Sequence, residues 1–199
     1  MLFKNKRRVI ISLAFAFILL LYFSRNFSIV IPFFITVVAL FLFWYIDRSF
    51  SLKFPERFYL YIFLIFILGL IIGAGTPPFG FYYRGIFYDK LLHFVNPIMI
   101  SAIVFFILNR LDISMKWKLL MTVGLVFGIL GLFEIGEYSL DVLFGTLYQG
   151  VYLRDLASLV KHKVITQPID DTMQDLIFGL FGSTVFVLYK YLGTKFKRL

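Results

Sequence analysis

Leu91–Leu108 reads LLHFVNPIMISAIVFFIL, eighteen residues with one histidine and no Asp, Glu, Lys or Arg. A helix rises about 1.5 Å per residue and the hydrocarbon core of a bilayer is about 30 Å thick, so this run predicts a transmembrane helix. Five more runs of the same kind surround it: Val9–Phe23, Phe27–Ile46, Phe58–Gly73, Leu119–Phe133 and Leu176–Tyr189. The fifth helix is expected to continue to about residue 145, and the last to cover about 172–190. No charged residue interrupts any run, and His93 is the one ionisable side chain other than tyrosine inside them. The expectation is an all-α, polytopic membrane bundle of six transmembrane helices, forming one integral membrane domain over 1–199.

Composition agrees. Of 199 residues, 61% are hydrophobic and 16% charged, and mean hydropathy is +0.91. Soluble domains carry about 25% charged residues. The absence of cysteine excludes disulfides, thiolate metal sites and thiol catalysis. The first run follows Lys4, Lys6, Arg7 and Arg8, as in a signal peptide. Tyr22-Phe23-Ser24-Arg25 follows it instead of a small-x-small cleavage site, which predicts a retained anchor.

Orientation follows from Lys and Arg placement. With both termini inside, the inner segments hold fourteen Lys/Arg and three acids, and the outer segments hold six Lys/Arg and eight acids. The net charge of +9 therefore divides into +11 inside and −2 outside, which is membrane topology and anionic-lipid contact, not a nucleic-acid footprint. Trp44, Tyr45 and Trp117 fit an inner aromatic belt, and Tyr82, Tyr83, Tyr88 and Tyr138 an outer one. In the last outer loop, Leu153, Leu156, Leu159, Val160 and Val164 recur at helical spacing opposite Arg154, Lys161 and Lys163. That pattern predicts a short interfacial helix, with a loop packed on the bundle as the alternative.

The eight outer acids are concentrated at the ends of spans four to six. Asp89, His93 and Asn96 are spaced i, i+4, i+7; Glu134, Glu137 and Asp141 are spaced i, i+3, i+7; Asp171 and Asp175 are spaced i, i+4. Each set falls on one helix face. His93, Glu134 and Asp175 are each expected about 4–6 Å inside the outer boundary, with Asp89, Glu137 and Asp171 just above. Gly124, Gly128 and Gly131 on span five, with Gly179 and Ser183 on span six, offer close helix approach. Pro97 removes the hydrogen bond to the His93 carbonyl.

Helix capping accounts for Asp89, Asp170 and Asp171, which open helices. It does not account for Asp175, one turn in, nor for Glu134 and Glu137, near a helix C-terminus where the dipole disfavours acids. Salt bridges to Arg84, Arg154 or Lys90 are the other structural reading. Carboxylates with one imidazole suit Mg²⁺, Mn²⁺, Ca²⁺ or Zn²⁺. The expected ligands are Asp89, His93, Glu134, Glu137, Asp171 and Asp175. Glu134, Glu137 and His93 are the expected acid–base groups, and Arg84, Arg154, Tyr138 and Asn96 the substrate contacts.

Three ordered elements carry a family resemblance. Phe87-Tyr88-Asp89-Lys90-Leu91-Leu92-His93-Phe94, Phe133-Glu134-Ile135-Gly136-Glu137-Tyr138 and Asp171-Thr172-Met173-Gln174-Asp175 resemble the YDKxxHF, ExxE and DTxxD signatures of YjdF-type bacterial inner-membrane proteins. The Asp-Lys-x-x-His-Phe element is more loosely similar to VanZ-like proteins. The likeness covers spans four to six. It implies a multi-pass protein of the bacterial inner membrane and supplies no reaction.

Three functions fit these residues. A metal-dependent hydrolase or transferase would act on a lipid phosphate or lipid-linked envelope intermediate, with membrane lipids as its surroundings and partners. A transporter or flippase needs polar groups through the whole thickness, and the inner parts of the spans offer only scattered Thr36, Ser101, Thr122 and Ser183. A non-catalytic metal- or lipid-binding module is the third. The enzyme is the narrowly favoured expectation.

Overall fold

The structure, a computed structural model, describes residues 30–73, 80–84, 86–145, 148–155 and 160–196. Val9–Phe23 lies outside the described residues. Five described helices are long and apolar enough to cross a membrane. The chain forms two compact units, which divide after Phe81.

In the first unit, α1 (Val30–Ser49) and α2 (Glu56–Phe66) form a hairpin, and α2 continues as a π-helical stretch over Ile67–Gly73. Asp47 builds the corner. Its Oδ1 accepts the Phe54 amide at 3.0 Å and its Oδ2 the Tyr59 hydroxyl at 2.5 Å. Phe43 stacks on Phe54 at 4.7 Å and meets Tyr59 edge-on at 5.0 Å. A buried acid is tolerated here because both of its oxygens are hydrogen-bonded.

The second unit packs three helices: α3 (Ile86–Leu108), α4 (Met115–Phe144) and α5 (Pro168–Phe196). Each pair is in contact, α3 with α5 most extensively. Leu119, Thr122, Val126, Leu130 and Glu134 form the buried stripe of α4, at spacings of three and four. Leu132, Ile135 and Val142 lie exposed on its other faces, where lipid serves as the solvent. Hydrophobic burial does not drive helices together in lipid, so close packing must.

Glycines of α5 supply that packing. A Cβ at Gly182 would collide with the Phe94 carbonyl oxygen, and one at Gly179 with Leu130 Cδ1. Ser183 beside them is fully buried. Among the described residues the glycines of α4 do not contribute: nothing lies within 4 Å of a Cβ placed at Gly124, Gly128 or Gly131, because they lie away from the buried stripe. Pro97 sits inside α3 and is buried. The helix runs through it, and the His93 carbonyl it leaves unbonded faces Gly179.

The expected interfacial helix is not formed. Val151–Asp155 (β1) and Val160–Thr166 (β2) pair as an antiparallel hairpin, with Tyr152 opposite Val164 and Val151 opposite Thr166. Val, Ile, Tyr and Thr suit a pleated strand, and five apolar residues at helical spacing did not outweigh that preference. The all-α expectation is amended to a helical fold with one two-stranded ribbon. Leu156 and Leu159 lie outside the described residues.

These contacts rank three substitutions. Gly182→Ala meets rigid backbone and is expected to cost about 1–3 kcal/mol. Gly179→Ala meets the movable end of a leucine and costs less, and Gly128→Ala stays within about 0.5 kcal/mol of wild type. Thermal unfolding in detergent checks the order.

Candidate functional site

The site lies at one end of the three-helix unit. Asp89, Lys90 and His93 come from the first turns of α3, Glu134 and Glu137 from the late part of α4, and Asp171 and Asp175 from the start of α5. Glu134 is nineteen residues beyond Met115, about 28 Å along α4, close to the full thickness of a hydrocarbon core.

Lys90 is the hub. Its Nζ donates to Asp89 Oδ2 at 2.9 Å, Asp171 Oδ1 at 2.5 Å and Asp175 Oδ1 at 2.7 Å. One ammonium has three hydrogens, and each finds a different carboxylate. Lys90 is 6% exposed, Asp171 5% and Asp175 3%, so these ions are shielded from water and their pairing is strong. Sequence reasoning placed Lys90 at an interface as one member of a salt-bridge alternative. The signal that it is central is its place between Asp89 and His93, opposite two acids one turn apart on α5.

His93 stands beside the hub without a hydrogen-bonded ion pair. Its Nε2 is 3.6 Å from Asp89 Oδ1, and its Nδ1 is 3.7 Å from Asp175 Oδ1 and 3.9 Å from Glu134 Oε1. These separations exceed the usual hydrogen-bond range of about 2.7–3.2 Å. Phe133 packs edge-on to the ring at 6.4 Å. Asp89, His93 and Asp175 each offer a ligand atom within 4.8 Å of the others.

The remaining expected site residues divide. Asp171 has both oxygens engaged, Oδ1 by Lys90 and Oδ2 by the Gly150 amide at 3.0 Å. Glu134 is buried, with the Thr172 side chain near its carboxylate. Glu137, half-buried, feels the charges of Glu134, Asp89, Asp175 and Asp171. Asn96 lies one turn below His93, and its Oδ1 is buried without a hydrogen-bond partner among the described residues. Tyr138 is 57% exposed and Arg84 is exposed in the 3₁₀ turn Phe81–Arg84, so neither is enclosed with the cluster. Arg154 is in β1, opposite Lys161, and its side chain is not among those described.

Tyr82, assigned to an aromatic belt from sequence, belongs to this neighbourhood. Its ring meets Tyr88 edge-on at 5.4 Å. Burial, and secondly the charge of Asp89, push its hydroxyl well above the ordinary phenol range. It therefore stays a neutral hydrogen-bonding group at any physiological pH.

A Lys90→Met change strands three carboxylates and is expected to cost about 3–5 kcal/mol. Adding Asp175→Asn removes one of them, so the double variant is less damaged than the sum, by about 1–3 kcal/mol. Denaturation of the four proteins in detergent measures this coupling. Strictly additive losses would show that the two groups do not interact.

The comparisons with known proteins cover the site and the spans together. Residues 6–195 match the family described as predicted membrane protein (DUF2238). No curated protein and no solved structure matches the chain. The match takes in every residue of the cluster from Asp89 to Asp175, and the chain belongs to this DUF2238 family of membrane proteins.

Proposed function

We propose that the protein is a membrane-embedded divalent-cation site acting on a phosphate-bearing lipid or lipid-linked envelope substrate at headgroup depth. The observation that carries this reading is the spacing around His93. The separations of Nδ1 from Asp175 and Glu134, 3.7 and 3.9 Å, are long for hydrogen bonds. They resemble the separation of two ligands sharing one ion at bond lengths of about 2.0–2.2 Å. Charge supports it as well. Three carboxylates meet one ammonium, and a dication offsets the excess of negative charge, which a low-dielectric site favours.

The donor set fits such an ion. Asp175, His93 and Asp89 would hold it, with Glu134 beside Nδ1, as oxygen and imidazole donors suit Mg²⁺, Mn²⁺, Ca²⁺ or Zn²⁺. When bound, a dication polarises a phosphoryl oxygen and acidifies water. The chain's own groups do the rest. Lys90 fixes Asp175 and Asp171. Glu134, or Glu137 one turn on, accepts the proton of the attacking water or hydroxyl. Tyr82 and Asn96 offer neutral polar contacts.

Topology belongs to the same proposal. The excess of Lys and Arg between alternate spans supports six crossings with both termini inside, which sets the cluster on the outer side. The likeness to YjdF-type and VanZ-like signatures goes with a bacterial inner membrane.

A second reading has its own observation. Lys90 already joins Asp89, Asp171 and Asp175, so the cluster also suits a non-catalytic polar core that holds the bundle end together. Metal analysis separates the two. Purified wild type is expected to carry a divalent ion that chelation removes. Its return at a hundred times its Kd is expected to stabilise the fold by about 2.7 kcal/mol. His93→Ala and Asp175→Asn should each lose at least about tenfold in bound metal. Wild type with no ion above buffer, and unfolding unchanged by chelator, selects the polar core instead.

A further inference from the structure

Asp141 sits in the last turn of α4, where the helix dipole opposes a negative charge. Its spacing from Glu134 and Glu137 puts it on the acid face, yet it is two turns beyond Glu134, about 10 Å along the axis. The hydrogen bonds show where its carboxylate is used. Asp141 Oδ1 accepts the Tyr148 amide at 2.7 Å, and Oδ2 accepts the Gln149 amide at 3.0 Å. The next amide, of Gly150, donates to Asp171 Oδ2 at 3.0 Å. Three successive backbone N–H groups are therefore held by two carboxylates, one from the end of α4 and one from the start of α5. Gly150 has φ 85°, a conformation open to glycine and costly for other residues.

This short segment reaches the site by two routes. Through Gly150 it holds Asp171, whose other oxygen receives Lys90, which in turn holds Asp175. Through the Gln149 side chain it donates to Thr172 Oγ1 at 3.1 Å, and the Thr172 side chain lies near the Glu134 carboxylate. Both routes end on groups next to His93.

We infer that Asp141 is a positioning residue for the site. By fixing the Tyr148 and Gln149 amides it sets Gly150, which holds Asp171 and through it Lys90 and Asp175, and Gln149, which holds Thr172 near Glu134. The affinity arm of the test rests on the cation reading above, and the stability arm does not.

Mn²⁺ titration of purified, chelator-treated protein, followed by electron paramagnetic resonance, reads the first arm. Asp141→Ala is expected to weaken Mn²⁺ binding about 10–100-fold, the usual effect of removing a group behind metal ligands. Asp141→Asn keeps one acceptor oxygen and should fall between. The second arm uses metal-free protein. The Tm losses of Asp141→Ala and Lys90→Met should be less than additive, since both loosen the same chain of hydrogen bonds. Asp141→Asn replaces Asp141→Ala in that cycle if the alanine variant does not fold. Wild type that takes up no Mn²⁺ overturns the cation reading. Additive Tm losses, or unchanged Mn²⁺ affinity in Asp141→Ala, overturn the positioning role.

Discussion

A buried ammonium that receives three carboxylates holds the end of the three-helix unit together. Lys90 and Asp89 come from α3, and Asp171 and Asp175 from α5, so the contact ties two helices at their shared end. Glycines then allow the same two helices to touch along their length, with Gly182 against the Phe94 carbonyl. α4 joins through a stripe of apolar residues that ends in Glu134. Charge pairing at the end and close backbone packing below are two forces that lipid does not weaken. The constraint also arranges the polar cluster, because it presents Asp175 to His93 with one oxygen already committed to Lys90.

The membrane explains why so few polar groups matter so much. With lipid on most helix surfaces, an unpaired charge has no water to turn to, and each ionisable side chain must find a partner or a ligand. Asp47 in the first unit finds its partners in Phe54 and Tyr59, which makes it an architectural corner. Asp141 finds backbone amides. His93 is different: its three carboxylate neighbours all stand beyond hydrogen-bonding distance.

Much of this was legible before any coordinates. Five of the apolar runs fall on described helices long and apolar enough to cross a membrane, since a bilayer of fixed thickness demands long apolar stretches. Spacings of three, four and seven put Asp89 with His93 and Asp171 with Asp175 on common faces, because helical periodicity is local. Two features misled. The apolar residues of 153–164 matched a helical period that a short ribbon can also satisfy. The glycines of α4 matched a packing motif without saying which face would be buried.

Chain composition and local periodicity thus determined the class of protein, its long apolar helices and the acids that needed explanation, because burial in lipid and helix geometry act on contiguous sequence. The partnership among those acids was decided only in three dimensions. Asp89 and Asp175 are eighty-six positions apart, and nothing local shows that Lys90 lies between them, that Asp171 turns one oxygen to Gly150, or that Asp141 serves the backbone instead of an ion. Such choices depend on how helices rotate and slide against one another, which is set by close packing at residues such as Gly179 and Gly182 and not by the hydropathy of any single run.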